Sequence, residues 1–188
     1  MDYLKYGWEV VKKDLVPWVI FGLVLGITLS FGIGFFLMPN ALRATRRAIE
    51  AGGAPGIGDL FNFDNITDDA IVMFIASIAH TVGAMLCGVG IFASLPLMHF
   101  APYLVAEGRY DAVSAAKASV EYGKGNLVGI LLHLLLFGVL VNLAVYLTCG
   151  IGGFIVAPIG LVAMDKYYLD HRDAILAAAN QAQIPMKA

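Results

Sequence analysis

The chain has 188 residues, of which 60% are hydrophobic and 14% charged, and its formal net charge is −2. Soluble domains carry about 25% charged residues, so this balance excludes an ordinary soluble domain, a disordered tail and a basic nucleic-acid binder. Two Cys exclude a disulfide framework, and 21 Gly in so apolar a chain suit membrane helices whose backbones pack closely.

The first element is an amphipathic segment over 2–14. Leu4, Trp8 and Val11 fall on one helical face, with Lys5, Glu9, Lys12 and Lys13 on the others. Such a segment is expected to lie in the headgroup layer. Glu9 and Asp14 interrupt the basic residues, so it reads as a signal anchor left in place rather than a cleaved signal peptide.

Three apolar runs follow, at 15–42, 70–106 and 127–164. One membrane crossing takes about 20 residues. The second and third runs are long enough for two crossings, and each run has a glycine-rich break near its middle. Gly lets a helix stop and turn within a few residues. The expected breaks are Gly32 and Gly34, Gly88 and Gly90, and Gly150 and Gly152. The pattern predicts an all-α, polytopic membrane protein of three helical hairpins, about six short transmembrane helices, with interfacial amphipathic helices between them.

The breaks also reveal a repeat. Cys87-Gly88-Val89-Gly90-Ile91-Phe92 precedes Pro96, and Cys149-Gly150-Ile151-Gly152-Gly153-Phe154 precedes Pro158. Both fit C-G-[VI]-G-x-F-x-x-x-P. The first run holds a shorter copy, Gly32-Ile33-Gly34-Phe35-Phe36 before Pro39. Each proline is expected in the first turns of the returning helix. The chain then forms one membrane domain with repeat units at 1–58, 59–110 and 111–173, and a cytoplasmic tail at 174–188.

All 12 Lys and Arg and all 14 Asp and Glu lie away from the glycine breaks. If every unit goes out and returns, the charges share one side. By the positive-inside rule that side is cytoplasmic, and both termini with it. The expected location is a bacterial inner membrane.

Two segments on the charged side stand out. The loop over 51–69 holds Gly52, Gly53, Pro55, Gly56 and Gly58, and is expected to pack Phe61 and Phe63 onto the bundle. The segment 111–124 alternates small and charged residues behind Asp111, a candidate helix cap, and is expected at the interface.

Polar residues in the apolar runs are candidates for function. His80, His99, His133 and Asn142 could form a buried polar, proton-relay or cofactor site, or join helices by hydrogen bonds. Arg43, Arg46 and Arg47 end the second helix and Asp165 the sixth. Arg43 or Arg46 could pair with Asp165, the arginines could bind anionic lipid headgroups, or they could form a solvated basic end. Cys87 and Cys149 occupy equivalent positions and could pair, or fill tight turns as small buried residues. Two thiols do not make a zinc site, so no metal is expected. No catalytic constellation and no cofactor motif is found.

The segment Ala115-Ala116-Lys117-Ala118-Ser119-Val120, continuing to Gly123-Lys124-Gly125-Asn126-Leu127, resembles a family of bacterial six-helix inner-membrane proteins. So does the glycine break with its proline before Tyr167-Tyr168. That family includes the YciC-type proteins and the membrane domain fused to some glycerophosphodiester phosphodiesterases. The resemblance implies fold and location, and no activity. The expected function is non-enzymatic: an oligomeric scaffold that organises or shapes the membrane, with lipids and copies of itself as partners. The alternative is a small-molecule transporter or channel with a polar site at mid-membrane.

Overall fold

The computed structural model describes residues 2–86, 89–148 and 151–187, and every element among them is helical. In chain order these are α1 (Asp2–Val11), α2 (Leu15–Ser30), α3 (Ile33–Phe36), α4 (Met38–Ala51), α5 (Ile66–Met85), α6 (Ile91–Met98), α7 (Ala101–Ala106), α8 (Ala112–Leu147) and α9 (Ile151–Gln181). Short 3-10 turns stand at Lys12–Asp14 and Ile57–Phe61. Two helices, α5 and α8, are long and apolar enough to cross a membrane.

The lengths depart from six equal crossings. The outward legs α2, α5 and α8 are 16, 20 and 36 residues long. The first two returns are broken: α3 has 4 residues before α4, and α6 has 8 before α7. The third return, α9, runs 31 residues through Pro158. Of the expected turn glycines, Gly32 behaves as foreseen, with φ +77° at the start of α3, where a side chain would be strained. Gly34 lies buried inside α3, and Gly152 opens α9 with its N–H donating to Thr148 Oγ1 at 2.7 Å. Gly90 has an ordinary helical backbone. Gly88, Gly150, Cys87 and Cys149 lie outside the described residues, and so does any pairing of the two thiols.

The chain divides into two compact units, Met1–Asp64 with Leu136–Leu169, and Asn65–Leu135 with Asp170–Ala188. This division does not follow the expected repeat boundaries, because α8 and α9 each contribute to both.

In the first unit, Phe21, Leu25, Ala41, Ala44 and Leu60 form one core cluster, and Val11, Trp18, Ala48 and Val162 another. Gly22 faces the Pro158 ring, where an added Cβ would come within 2.8 Å. Two sequence expectations change here. Helix α1 turns Gly7 and Val11 inward and leaves Trp8 44% exposed. The tight approach of Gly7 to the Ile159 backbone sets that face. In the 51–69 loop Leu60 is the anchor, fully buried, while Phe61 and Phe63 face outward. Asp59 accepts the Gly56 N–H and fixes the 3-10 turn, so adjacent residues Leu60 and Phe61 point apart.

In the second unit, α5 packs against both α6 and α7. Gly83 of α5 meets Gly90 backbone to backbone; a Cβ on Gly90 would stand 2.6 Å from the Gly83 carbonyl oxygen. The segment expected at the interface buries one face against its neighbours and leaves Val113, Lys117 and Lys124 exposed. The first turns of α8 bury Ala112, Ser114, Ala115, Ala116, Ala118, Ser119, Tyr122 and Gly123. Small side chains let neighbouring backbones approach, and that closeness is what this stretch provides. Helix α8 kinks at Asn126 (φ −125°), whose side chain donates to the Tyr122 carbonyl at 3.0 Å. Residues 174–187 are docked: Ile175 and Ala179 are buried, and the Lys187 N–H donates to the Arg109 carbonyl at 2.7 Å.

Candidate functional site

Polar groups gather separately in each unit. In the first, α4 presents one face of polar residues at Asn40, Arg43 and Arg46, each about one turn from the next. Asn40 is 1% exposed. Its amide donates to the carbonyls of Leu60 at 3.1 Å and Asn62 at 2.6 Å, so it ties the loop to α4. Its own oxygen accepts from Arg43 at 2.6 Å. Arg46 donates to Asp165 Oδ1 at 2.7 Å and lies over the Tyr168 ring, 5.2 Å from its centroid. The Asp165 side chain is wholly buried and that of Arg46 15% exposed. Arg47 pairs with Asp59 at 3.3 Å in a more open setting.

Of the readings open for the arginines, the structure therefore forms the Arg46–Asp165 pair. Arg43 and Arg47 also have protein partners, so this end of α4 is a built network rather than a solvated fringe. Planar guanidinium suits it, donating to carboxylate and stacking on tyrosine together.

In the second unit, Glu107 is nearly buried and pairs with Arg172 at 2.9 Å and Arg109 at 3.1 Å. Lys187 pairs with Asp68 at 2.8 Å. Asp111 caps α8 as expected, accepting the N–H groups of Val113 and Ser114 at 3.0 Å each. These bonds, the Ser114 N–H foremost, hold its carboxyl below the usual range against the opposing effect of burial.

The three histidines expected to converge do not share one place. His80 Nδ1 meets Ser94 Oγ at 3.1 Å, joining α5 to α6 beside the Gly83–Gly90 contact. The Ser94 hydroxyl donates to the Ile91 carbonyl at 3.3 Å. Which of the two donates follows the tautomer of the ring, and in either case the bond ties α5 to α6. His99 neighbours His133 and meets the Phe100 ring edge-on and the Tyr103 ring at a tilt, at centroid distances of 4.8 and 5.5 Å. His171 lies edge-on to Tyr122 at 6.3 Å. Asn142, expected in a buried site, is exposed, and donates to the Gly138 carbonyl one turn back at 2.8 Å. Among the described residues no group of three or more His, Cys, Asp or Glu could hold a metal ion.

Ser119 was not singled out by its chemistry. Its hydroxyl donates to the Leu97 carbonyl at 2.7 Å and accepts the Phe100 N–H at 3.1 Å, satisfying the break between α6 and α7. Gly123, one turn on, lies against Leu97 and Pro96. The signal was the Ser–Gly spacing of one turn, opposite a proline-broken helix. These contacts hold the helices together. No family model matches this chain, and no curated protein or solved structure matches it either.

Proposed function

We propose that the chain is a multi-pass integral membrane protein that organises or shapes the bilayer as an oligomeric scaffold. One observation carries the membrane reading. Only 6% of the most apolar stretch of α8 is buried. Val128, Leu132, Val139, Tyr146 and Leu147 are all more than 60% exposed. A soluble protein hides such a helix in its core; a bilayer is the solvent that leaves it outside. The same stretch of α5 is 28% buried, and Phe74, Val82 and Met85 stand outward from that helix.

The charge pattern supports an inner-membrane topology with the charged side and both termini in the cytoplasm, because no Lys, Arg, Asp or Glu lies near the three breaks. The first two returning legs, broken after 4 and 8 residues, support shaping: wedges entering from one side occupy more area in that leaflet. Lipids and further copies of the chain are the partners in this reading. The polar networks described above act as struts, which supports a non-enzymatic role.

The test is reconstitution of the purified chain into vesicles of phosphatidylethanolamine and phosphatidylglycerol. The expected result is carbonate-resistant insertion, a discrete oligomer and a change of vesicle curvature seen by cryo-electron microscopy. A chain released by carbonate overturns the membrane reading. A monomer that leaves vesicles spherical overturns the scaffold.

A further inference from the structure

From the outer face of α8 we infer that a second copy of this chain docks there, with Asn142 of each copy paired to Asn142 of the other. The inference rests on the membrane reading above and adds the partner and the contact.

Asn142 stands five residues before the end of α8 at Leu147, about 8 Å along the axis at 1.5 Å per residue. If α8 crosses a hydrocarbon core about 30 Å thick, this amide lies inside it. Its neighbours on the helix surface are Val139, Leu143 and Tyr146, all more than 50% exposed. Among the described residues the side chain has one partner, the Gly138 carbonyl. One amide N–H and the side-chain oxygen are left over. Lipid tails can bond neither.

The remaining donor and acceptor complement themselves. A two-fold contact sets the same residue of each copy face to face. Two amides so placed exchange a reciprocal pair of hydrogen bonds, which no charged or purely apolar partner can do. The surface beside them permits the approach. Gly138 lies one turn from Asn142, and a Cβ there would meet nothing within 4 Å. It is therefore not filled from within its own chain, unlike Gly22 and Gly83. A small residue next to a polar one is the pattern through which membrane helices associate.

The test uses the full chain in vesicles of phosphatidylethanolamine and phosphatidylglycerol, with Cys87→Ala and Cys149→Ala as background. Asn142→Cys is compared with Leu136→Cys, which is also exposed and lies about 120° away round the helix. Copper–phenanthroline oxidation is expected to link copies through position 142 and to leave position 136 unlinked. In the unaltered background, Asn142→Leu and Gly138→Ile are expected to weaken self-association on the order of 3- to 20-fold, read by energy transfer on dilution into lipid. Both positions face outward, so folding is checked by an unchanged circular dichroism spectrum. Equal cross-linking at both positions, or self-association untouched by Asn142→Leu, overturns the docking. A chain that carbonate strips from the vesicles overturns the membrane reading itself, and the two failures are thereby told apart.

Discussion

The two copies of the proline motif begin alike and continue differently. After Pro96 the helix ends at Met98 and restarts at Ala101. After Pro158 it continues unbroken to Gln181. The broken copy is held by hydrogen bonds to the backbone groups that the break leaves without helical partners, with Ser119 bridging Leu97 and Phe100. The continuous copy has no such gap, and is held by side chains. Seven residues after the proline stand Arg46, Tyr103 and Asp165 in the three copies. Arg46 and Asp165 form the buried pair of the first unit. Tyr103, at the same place in the second, packs among aromatic rings with Phe100 and His99. One position has been used for an ion pair in one unit and for edge-on and tilted ring contacts in the other.

The comparison breaks most sharply at the ion pair. Asp165→Ala removes the carboxylate that pairs with Arg46, whose side chain is 15% exposed. Removing one partner of a buried pair costs about 3–5 kcal/mol. Denaturant titration in detergent is expected to show a loss near the lower end, since Arg46 retains some solvent and the Tyr168 ring. Arg46→Met combined with Asp165→Leu is expected to recover most of it, because no charge is then stranded. A double variant as unstable as Asp165→Ala would mean that shape, and not charge, decides this site.

Next in size is the glycine contact of the second unit. Gly83→Ala places a methyl group 2.8 Å from the Gly90 carbonyl and from Ser94 Oγ, and the backbone contact cannot be relieved by a side-chain rotation. Overpacking of this kind costs about 1–3 kcal/mol. Gly138→Ala meets open space and gains helix propensity, about 1 kcal/mol at most. Opposite signs for the two substitutions, measured in one titration series, are the expected outcome.

How much of this was legible depends on what kind of force sets each feature. The Arg46–Asp165 pair was among the readings because two charges beside apolar runs have few partners to choose from. The cap at Asp111 was legible because its bonds are local, to Val113 and Ser114. Features set by tertiary packing were not. Nothing local distinguishes Trp8 from Val11, yet the close approach of Gly7 to Ile159 turns Val11 in and Trp8 out. Small residues over 112–123 read as surface because they alternate with charge, and they are interior because two other helices come close to them. Asn142 read as buried by its polarity, and its exposure follows from a helix that little in its own chain covers.

A loss of comparable size is expected from Ser119→Ala. It strands the Leu97 carbonyl and the Phe100 N–H in a buried place, at about 1–3 kcal/mol. The effect belongs to the broken copy alone. A substitution in the continuous copy has no comparable gap to open, so Val156→Ala or Val162→Ala should reduce stability through lost packing, with no change in amide exchange at 97–100. Faster exchange at Phe100 in Ser119→Ala, read by hydrogen–deuterium mass spectrometry, is the signature expected of a lost bridge.

The smallest effect isolates one charge. Asp111 caps α8 with its carboxylate, and its pKa is lowered chiefly by the Ser114 N–H. A group with a lowered folded pKa adds stability that is complete above its unfolded value, about 3.9, and is lost as pH falls through the folded one. Asn also caps helices well but does not titrate. Asp111→Asn keeps the two backbone bonds to Oδ1 and turns the Ser114 hydroxyl, which donates to Oδ2 at 2.8 Å, into an acceptor of the new amide N–H, so its main effect is to remove the charge at the helix N-terminus, worth about 0.3–1 kcal/mol. The unaltered chain is expected to be the more stable of the two at pH 7. The gap should close as pH falls below 4, since other carboxylates titrate alike in both chains and cancel. A gap that is constant from pH 7 to pH 3 would assign the preference for Asp to geometry, and the start of α8 would then owe nothing to charge.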